Sequence, residues 1–176
     1  MLDMMYSYSD TELKKLMSST VILTDTREQE NYHIVKYFDE KKIAHRGKKL
    51  HTGDYSILLP SNNELGIIKD SYFPIVIERK NSIDELAQSI KEERFENELI
   101  RSNGLKLLLL VEDSYKNLLT GNYRSQYQPK SLLARLKSFE ARYHFHTIFL
   151  DKGLSGNYIY HHLYYQAREY LKCKIA

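Results

Sequence analysis

Apolar positions change period several times along the 176-residue chain, and each change marks an expected element. Ser9 and Glu12 form a capping-box pattern ahead of Leu13, Leu16 and Met17, which predicts a short first helix. Val21 to Asp25 is an apolar, β-branched run closed by a carboxylate, the pattern of a buried central strand. Tyr32 to Lys42 then spaces its apolar residues as a helix does. Two strands should follow, one around Ala44 to Leu50 and one from Asp54 to Leu59, with Gly53 between them and a turn at Ser61 to Glu64.

The run Ile75, Val76, Ile77 predicts another buried strand, which leads directly into Glu78, Arg79 and Lys80. Ser82 with Glu85 repeats the capping pattern before Ile83, Leu86, Ala87 and Ile90. Phe95 and Leu99 are out of phase with that face, so the helix should break near Lys91 to Glu93 and a second helix run to Ser102. A strand at Leu105 to Val111, a short helix at Asp113 to Leu119 and a polar loop at Gly121 to Gln128 come next. Pro129 suits the first turn of a helix that aligns Leu132, Leu136, Phe139 and Tyr143. Thr147 to Leu150 should close the sheet, and a last helix from Tyr158 to about Lys172 aligns Ile159, Leu163, Ala167 and Leu171. Strands interleaved with helices predict an α/β fold, and the consecutive early strands argue against a uniformly parallel sheet. The expectation is one domain with a mixed central sheet flanked by helices on both faces.

Composition narrows the class. No apolar run approaches the roughly 20 residues needed to cross a bilayer, so no membrane is expected. Met1 to Asp10 lacks the layout of a secretory signal, which makes the cytoplasm the expected location. The single cysteine, Cys173, reads as a partly buried spare thiol without a disulfide partner. A net charge of +3 is too mild to identify a nucleic-acid partner by itself. The histidines are scattered without metal-ligand spacing, which disfavours zinc. The tyrosines at 158, 160, 164, 165 and 170 are read as an interface.

The candidate chemistry sits at strand ends. Side chains alternate along a strand, so Glu78 and Lys80 share a face and Arg79 takes the other. Charges beside Ile75 to Ile77 need compensation, which a divalent cation and a phosphate would supply. Asp54 can join Glu78 as an oxygen ligand, with Lys80 on the attacking water or a phosphate oxygen, and oxygen-only ligands favour magnesium. Asp25 and Glu28 close the first strand and can complete such a site, while Arg27 and Arg79 can grip phosphates. An ion-pair network is the competing reading of the Asp54, Glu78 and Lys80 trio. Asp84 falls in a helix first turn, where a carboxylate is stabilised without any catalytic duty. Lys48 and Lys49 belong to the densest basic run, beside the expected active strand.

Gly53-Asp54-Tyr55, Ile77-Glu78-Arg79-Lys80 and Asp84 four positions beyond Lys80 together resemble the signature of the XPF-type structure-specific endonucleases. Asp25-Thr26-Arg27-Glu28 resembles that family's first acidic motif, and Arg94-Phe95, Pro129 to Leu132 and Ala141 to Tyr143 extend the likeness over roughly Val21 to Leu150. The resemblance implies a restriction-endonuclease-like fold and a DNA endonuclease that uses Mg2+ or Mn2+ on branched, flap or fork DNA in repair or recombination. It further implies pairing as a homodimer. By the same resemblance Asp25, Asp54 and Glu78 are metal-site acids, the Arg79 carbonyl is a further ligand, and Lys80 is the water-orienting base. Glu28 and Asp84 would support them; with the charge reading above, Arg27, Arg79, Arg94, Lys48 and Lys49 are the expected DNA contacts. Residues 1–19 are expected to be an extension with a short helix and 20–176 the nuclease domain, with no helix-hairpin-helix module. The alternative function is a non-catalytic DNA-binding or scaffold partner with a nuclease fold.

Overall fold

Burial along the strand that carries the suggestive charges alternates between two cores, and that alternation organises the molecule. In the computed structural model, residues 8–173 are described. The first seven residues of the expected extension, residues 174–176 and the side chain of Cys173 lie outside the described residues. The first helix, α1 (Asp10–Ser18), begins with the expected capping box between Ser9 and Glu12. Strand β1 (Val21–Thr24) and helix α2 (Tyr32–Glu40) follow, then β2 (His45–Gly47) and β3 (Tyr55–Leu59). Strand β4 (Ser71–Lys80) leads to α3 (Ile83–Ser89) and α4 (Glu93–Arg101), which are broken where the phase of apolar residues changes. The chain ends with β5 (Lys106–Val111), α5 (Tyr115–Thr120), α6 (Pro129–Tyr143), β6 (His146–Phe149) and α7 (Ser155–Cys173).

The six strands form one sheet in the order β2-β1-β3-β4-β5-β6, with β3 antiparallel to both its neighbours and the other pairs parallel. Ile75 and Ile77 of β4 face a core shared with Leu13 of α1, Phe38 of α2 and Leu163 of α7. Val76 faces the opposite core, filled by Leu86 of α3, Phe95 of α4, Leu118 of α5 and Leu136 of α6. The mixed sheet covered by helices on both faces is therefore as expected. At ~25 cal/mol per Å2 of apolar surface removed from water, these two layers supply the main drive for folding.

Three elements differ from expectation for identifiable reasons. Strand β4 begins at Ser71 and not at Ile75, and runs through Pro74. Ser56 pairs with Val76 but Leu58 with Tyr72, so Phe73, Pro74 and Ile75 oppose Ile57 alone in a bulge, where a residue without an N–H is tolerated. The Ser56 hydroxyl donates to the Ile75 carbonyl at 2.7 Å across this irregularity. Strand β2 is shorter than expected, with only three residues at the sheet edge. Helix α7 starts at Ser155 and not at Tyr158, and its Gly156 packs against Tyr37, where a Cβ would sit 2.7 Å from the Tyr37 Cβ. No described helix is long and apolar enough to cross a membrane. Tyr158, Tyr160, Tyr164 and Tyr170 pack partly buried against the first core, so the expected aromatic interface on α7 narrows to the exposed Tyr165.

Candidate active site

Strands β1, β4 and β5 run parallel and end on the same side of the sheet, and β3, antiparallel to them, begins there. Crevices beyond the carboxyl ends of parallel strands are where open α/β sheets present ligands. The residues just past the ladders extend them by one bond each: Asp25 N–H donates to the Asp54 carbonyl at 2.7 Å, Asp54 N–H to the Ile77 carbonyl at 2.8 Å, and Glu112 N–H to the Lys80 carbonyl at 2.8 Å. Backbone bonds alone thereby fix the positions of Asp25, Asp54 and Glu112. Gly53 makes the entry to β3 possible. Its φ is +75°, and a Cβ would stand 3.0 Å from the Val76 Cβ and 3.3 Å from the Ile77 carbonyl oxygen.

A cleft of about 580 Å3 opens at this edge. It brings together Asp25, Arg27, Glu28, Asp54, Glu78, Arg79, Lys80 and Arg94 from the sequence-derived set, but not Asp84, Lys48 or Lys49. The lining also includes Glu30, His51, Glu85, Glu98 and Arg101. Seven carboxylates face five Lys or Arg side chains, a surplus of two that equals the charge of one divalent cation.

Half-buried Asp54 and buried Glu78 form the centre of this cleft. Burial, then the charges of Glu78 and Glu28, push the Asp54 carboxyl well above the usual carboxylate range. One Asp54 oxygen, Oδ2, accepts the Arg79 backbone N–H at 2.8 Å. Burial also raises Glu78, against the opposing pull of Lys80. The Lys80 ammonium donates to Glu78 Oε1 at 2.8 Å, with Glu85 4.0 Å away and the Phe95 ring centroid at 5.1 Å. Burial pulls the amine down, but the adjacent Glu78 carboxylate outweighs it, so Lys80 holds its proton more tightly than a free lysine.

Asp25 is differently placed. Its Oδ1 accepts from the backbone N–H and Nε of Arg27, both at 2.8 Å, and its Oδ2 from Arg27 Nη2 at 3.0 Å and the Leu50 N–H at 2.6 Å. Burial works against ionisation, yet these donors prevail and lower its pKa. Asp25 thus braces Arg27, whose side chain is 62% exposed at the cleft. Arg94 is also exposed at the rim, 3.7 Å from Glu98.

The Arg79 guanidinium turns away from Glu78 and Lys80, as alternation requires, and enters a cage in which Glu28 is both a hydrogen-bond and an ion-pair partner. Its side chain is 4% exposed, and Nε, Nη1 and Nη2 each donate within the protein. Asp84 lies beyond the cleft, where its Oδ1 accepts from the backbone N–H groups of Arg124 at 2.9 Å and Ser125 at 2.7 Å. It anchors the 121–128 loop from the first turn of α3. Lys48 packs its ammonium over the Tyr72 ring, outside the cleft.

Sequence reasoning passed over Glu112 and His33. Glu112 nevertheless carries the same signal as Asp25, a carboxylate that closes a buried apolar strand. His33 joins the cluster only through its contact with Glu112, 79 residues away, and no local pattern reveals that.

The family model of the ERCC4 domain matches residues 24–162. The chain is similar in structure to XPF from Aeropyrum pernix, with a TM-score of 0.61 at 20% identity over 84% of this chain and 65% of that one. It is also similar to XPF from Aeropyrum pernix in complex with DNA, with a TM-score of 0.60 at 20% identity over 85% of this chain and 65% of that one. This chain therefore spans slightly less than two thirds of the length of those proteins. No curated protein matches it.

Proposed function

From the premise that this chain belongs to the ERCC4 domain family, we propose that it is a divalent-cation-dependent endonuclease that hydrolyses DNA phosphodiester bonds at branched, flap or fork structures. The observation that carries this reading is the pair of half-buried Asp54 and buried Glu78, whose ionised forms are penalised by desolvation and, at Asp54, by the neighbouring Glu78 charge. Among the described residues no three Asp, Glu, His or Cys side chains converge as a preset metal cluster. Two carboxylates at a strand edge, with backbone oxygen beside them, nonetheless fit a hard cation that keeps part of its water shell. Asp54 and Glu78 would hold it. The Arg79 carbonyl is a further candidate ligand, since N–H and C=O of an extended residue point to the same side and the N–H already meets Asp54.

When bound, Mg2+ or Mn2+ supplies an activated water and charge neutralisation at the phosphoryl oxygens. The chain's own residues do the rest. Lys80, kept protonated by Glu78, donates to the attacking water or a phosphoryl oxygen and so acts as an oriented cation, not as a free amine base. Glu78, beside Lys80, supplies the negative charge that holds the ammonium in place. Arg27 and Arg94 contact phosphates from the rim, and Asp25 holds Arg27 in place. Glu28 supports the site through Arg79, and Asp84 through the loop it anchors. We assign the nuclease domain to residues 20–176, with the short α1 segment as an extension, and a homodimer as its assembly.

A panel of end-labelled flap, fork and plain duplex DNA, with Mg2+, Mn2+ or chelator, tests this reading. Cation-dependent cutting that favours the branched substrates is expected. Equal cutting of plain duplex would remove the structural preference. Binding without cutting under either cation would replace the enzyme with a non-catalytic DNA-binding partner.

A further inference from the structure

The cage around Arg79 extends past the residues used by the proposed chemistry. Glu112 follows β5 directly, and its side chain is 0% exposed. Its Oε2 accepts from Arg79 Nη1 at 2.9 Å, and its Oε1 lies 2.6 Å from His33 Nε2 on α2. The remaining donors of Arg79 go to Glu28 Oε1 at 2.7 Å from Nε and to the Gln29 carbonyl at 3.0 Å from Nη2. One guanidinium therefore ties the β1–α2 connection, β4 and β5 together.

We infer that Glu112, held from behind by His33, is the positioning residue of the candidate site, fixing the Arg79 guanidinium and through it Glu28. A fully buried carboxylate is costly unless its oxygens are matched, and here each oxygen has one partner from a different element. Burial opposes the Arg79 cation, but Glu28 and Glu112 on opposite sides keep it charged. With only Glu28 to pair with, the guanidinium is free to rotate toward the cleft and leave Gln29. The Arg79 backbone N–H, fixed in the β4–β5 ladder, separately holds Asp54, so the guanidinium acts on Glu28 alone. Glu112 is not among the cleft-lining residues, which separates this role from contact with DNA.

The effect on reaction rests on the nuclease reading; the positioning itself does not. Nitrogen-15 NMR of the full chain reads Arg79 Nε–H, which a caged guanidinium should show as a resolved, slowly exchanging signal. Glu112→Gln should broaden or shift that signal while the backbone spectrum is retained. His33→Ala, at a partly exposed position, should act in the same direction and decides the matter if Glu112→Gln does not fold. On flap DNA, Glu112→Gln should lower kcat by about tenfold, typical of a residue that orients a metal-site group, with little change in KM. Combined with Glu28→Gln, its effect should be smaller than the product of the two single effects, because both carboxylates grip one guanidinium. An unchanged Arg79 signal in the folded variants overturns the positioning role. An altered signal with wild-type kcat, or strictly multiplicative effects with Glu28→Gln, overturns the link to the reaction. A wild-type chain that cuts no DNA sinks the nuclease reading and leaves the NMR result to judge the positioning.

Discussion

Asp54 takes the place of a strand partner for Arg79: its carboxylate, and no backbone carbonyl, receives the Arg79 N–H at 2.8 Å where the β3–β4 ladder ends. The carboxylate is thereby aimed along the edge of the sheet, in a setting that burial and the neighbouring acids make unfavourable for negative charge. A stable fold would use a neutral group at this position.

Asp54→Asn should therefore stabilise the cation-free protein while abolishing its proposed activity. The raised folded-state pKa means that the native state keeps its proton to higher pH than the unfolded chain. The stability contribution is full at low pH and is lost as pH rises from about 4 through the raised value. Thermal unfolding should show little difference between the two proteins near pH 4. By pH 7 the variant should melt higher by about 2–4 °C for each ~1 kcal/mol relieved. An equal or lower melting temperature at pH 7 would show that the Asp54 charge is already compensated.

Divalent cation should remove the same penalty in the wild type. At a hundredfold excess over Kd, Mg2+ or Mn2+ should stabilise the folded chain by about 2.7 kcal/mol. Neither Asp54→Asn nor Glu78→Gln should respond comparably. A melting curve indifferent to cation in the wild type, measured by calorimetry, would contradict the assignment of these two acids.

Arg27 and Arg94, like Arg101, are exposed cations at the rim, whereas the guanidinium of Arg79 is enclosed. Arg27→Ala should weaken DNA binding across sequences and reduce the dependence of log K on log salt by about one. Asp25→Asn should produce a partial version of that loss, because it loosens Arg27 without removing the charge. Binding isotherms at several salt concentrations check both, and an unchanged salt slope in Arg27→Ala would remove Arg27 from the phosphate contacts.

Asp84→Ala should cost about 1 kcal/mol, as expected for a helix-start carboxylate that also holds two loop amides. The 121–128 loop should become more open to proteolysis, while DNA cutting falls only in part. Complete loss of cutting in a folded Asp84→Ala protein would place Asp84 closer to the chemistry than its contacts with Arg124 and Ser125 indicate.

Much of this arrangement is legible in the amino-acid pattern. The phase break between Ile90 and Phe95 marks two helices, and alternation from Ile75 to Lys80 sends Glu78 and Arg79 to opposite faces of the sheet. What local pattern hides is compensated irregularity and long-range pairing. Pro74 reads as an end to a strand, but the bulge opposite Ile57 accommodates it. Gly156 lies ahead of the expected helix start at Tyr158, but it is the point where α7 approaches Tyr37. Within the candidate site, the acids that close β1 and β4 stand out by their apolar runs. The long-range partners do not: Asp25 meets Leu50, and Glu112, just past β5, meets His33 across a separation of 79 residues, contacts set by topology alone.

The central claim is that Asp54, Glu78 and Lys80 hydrolyse DNA with a divalent cation, and single-turnover cleavage of a labelled flap by Glu78→Gln tests it most directly. With saturating protein, Mg2+ or Mn2+ present and DNA binding measured in parallel, the wild type should cut. The variant should bind the flap at least as tightly and leave it intact. Cutting by Glu78→Gln at the wild-type rate would contradict the account.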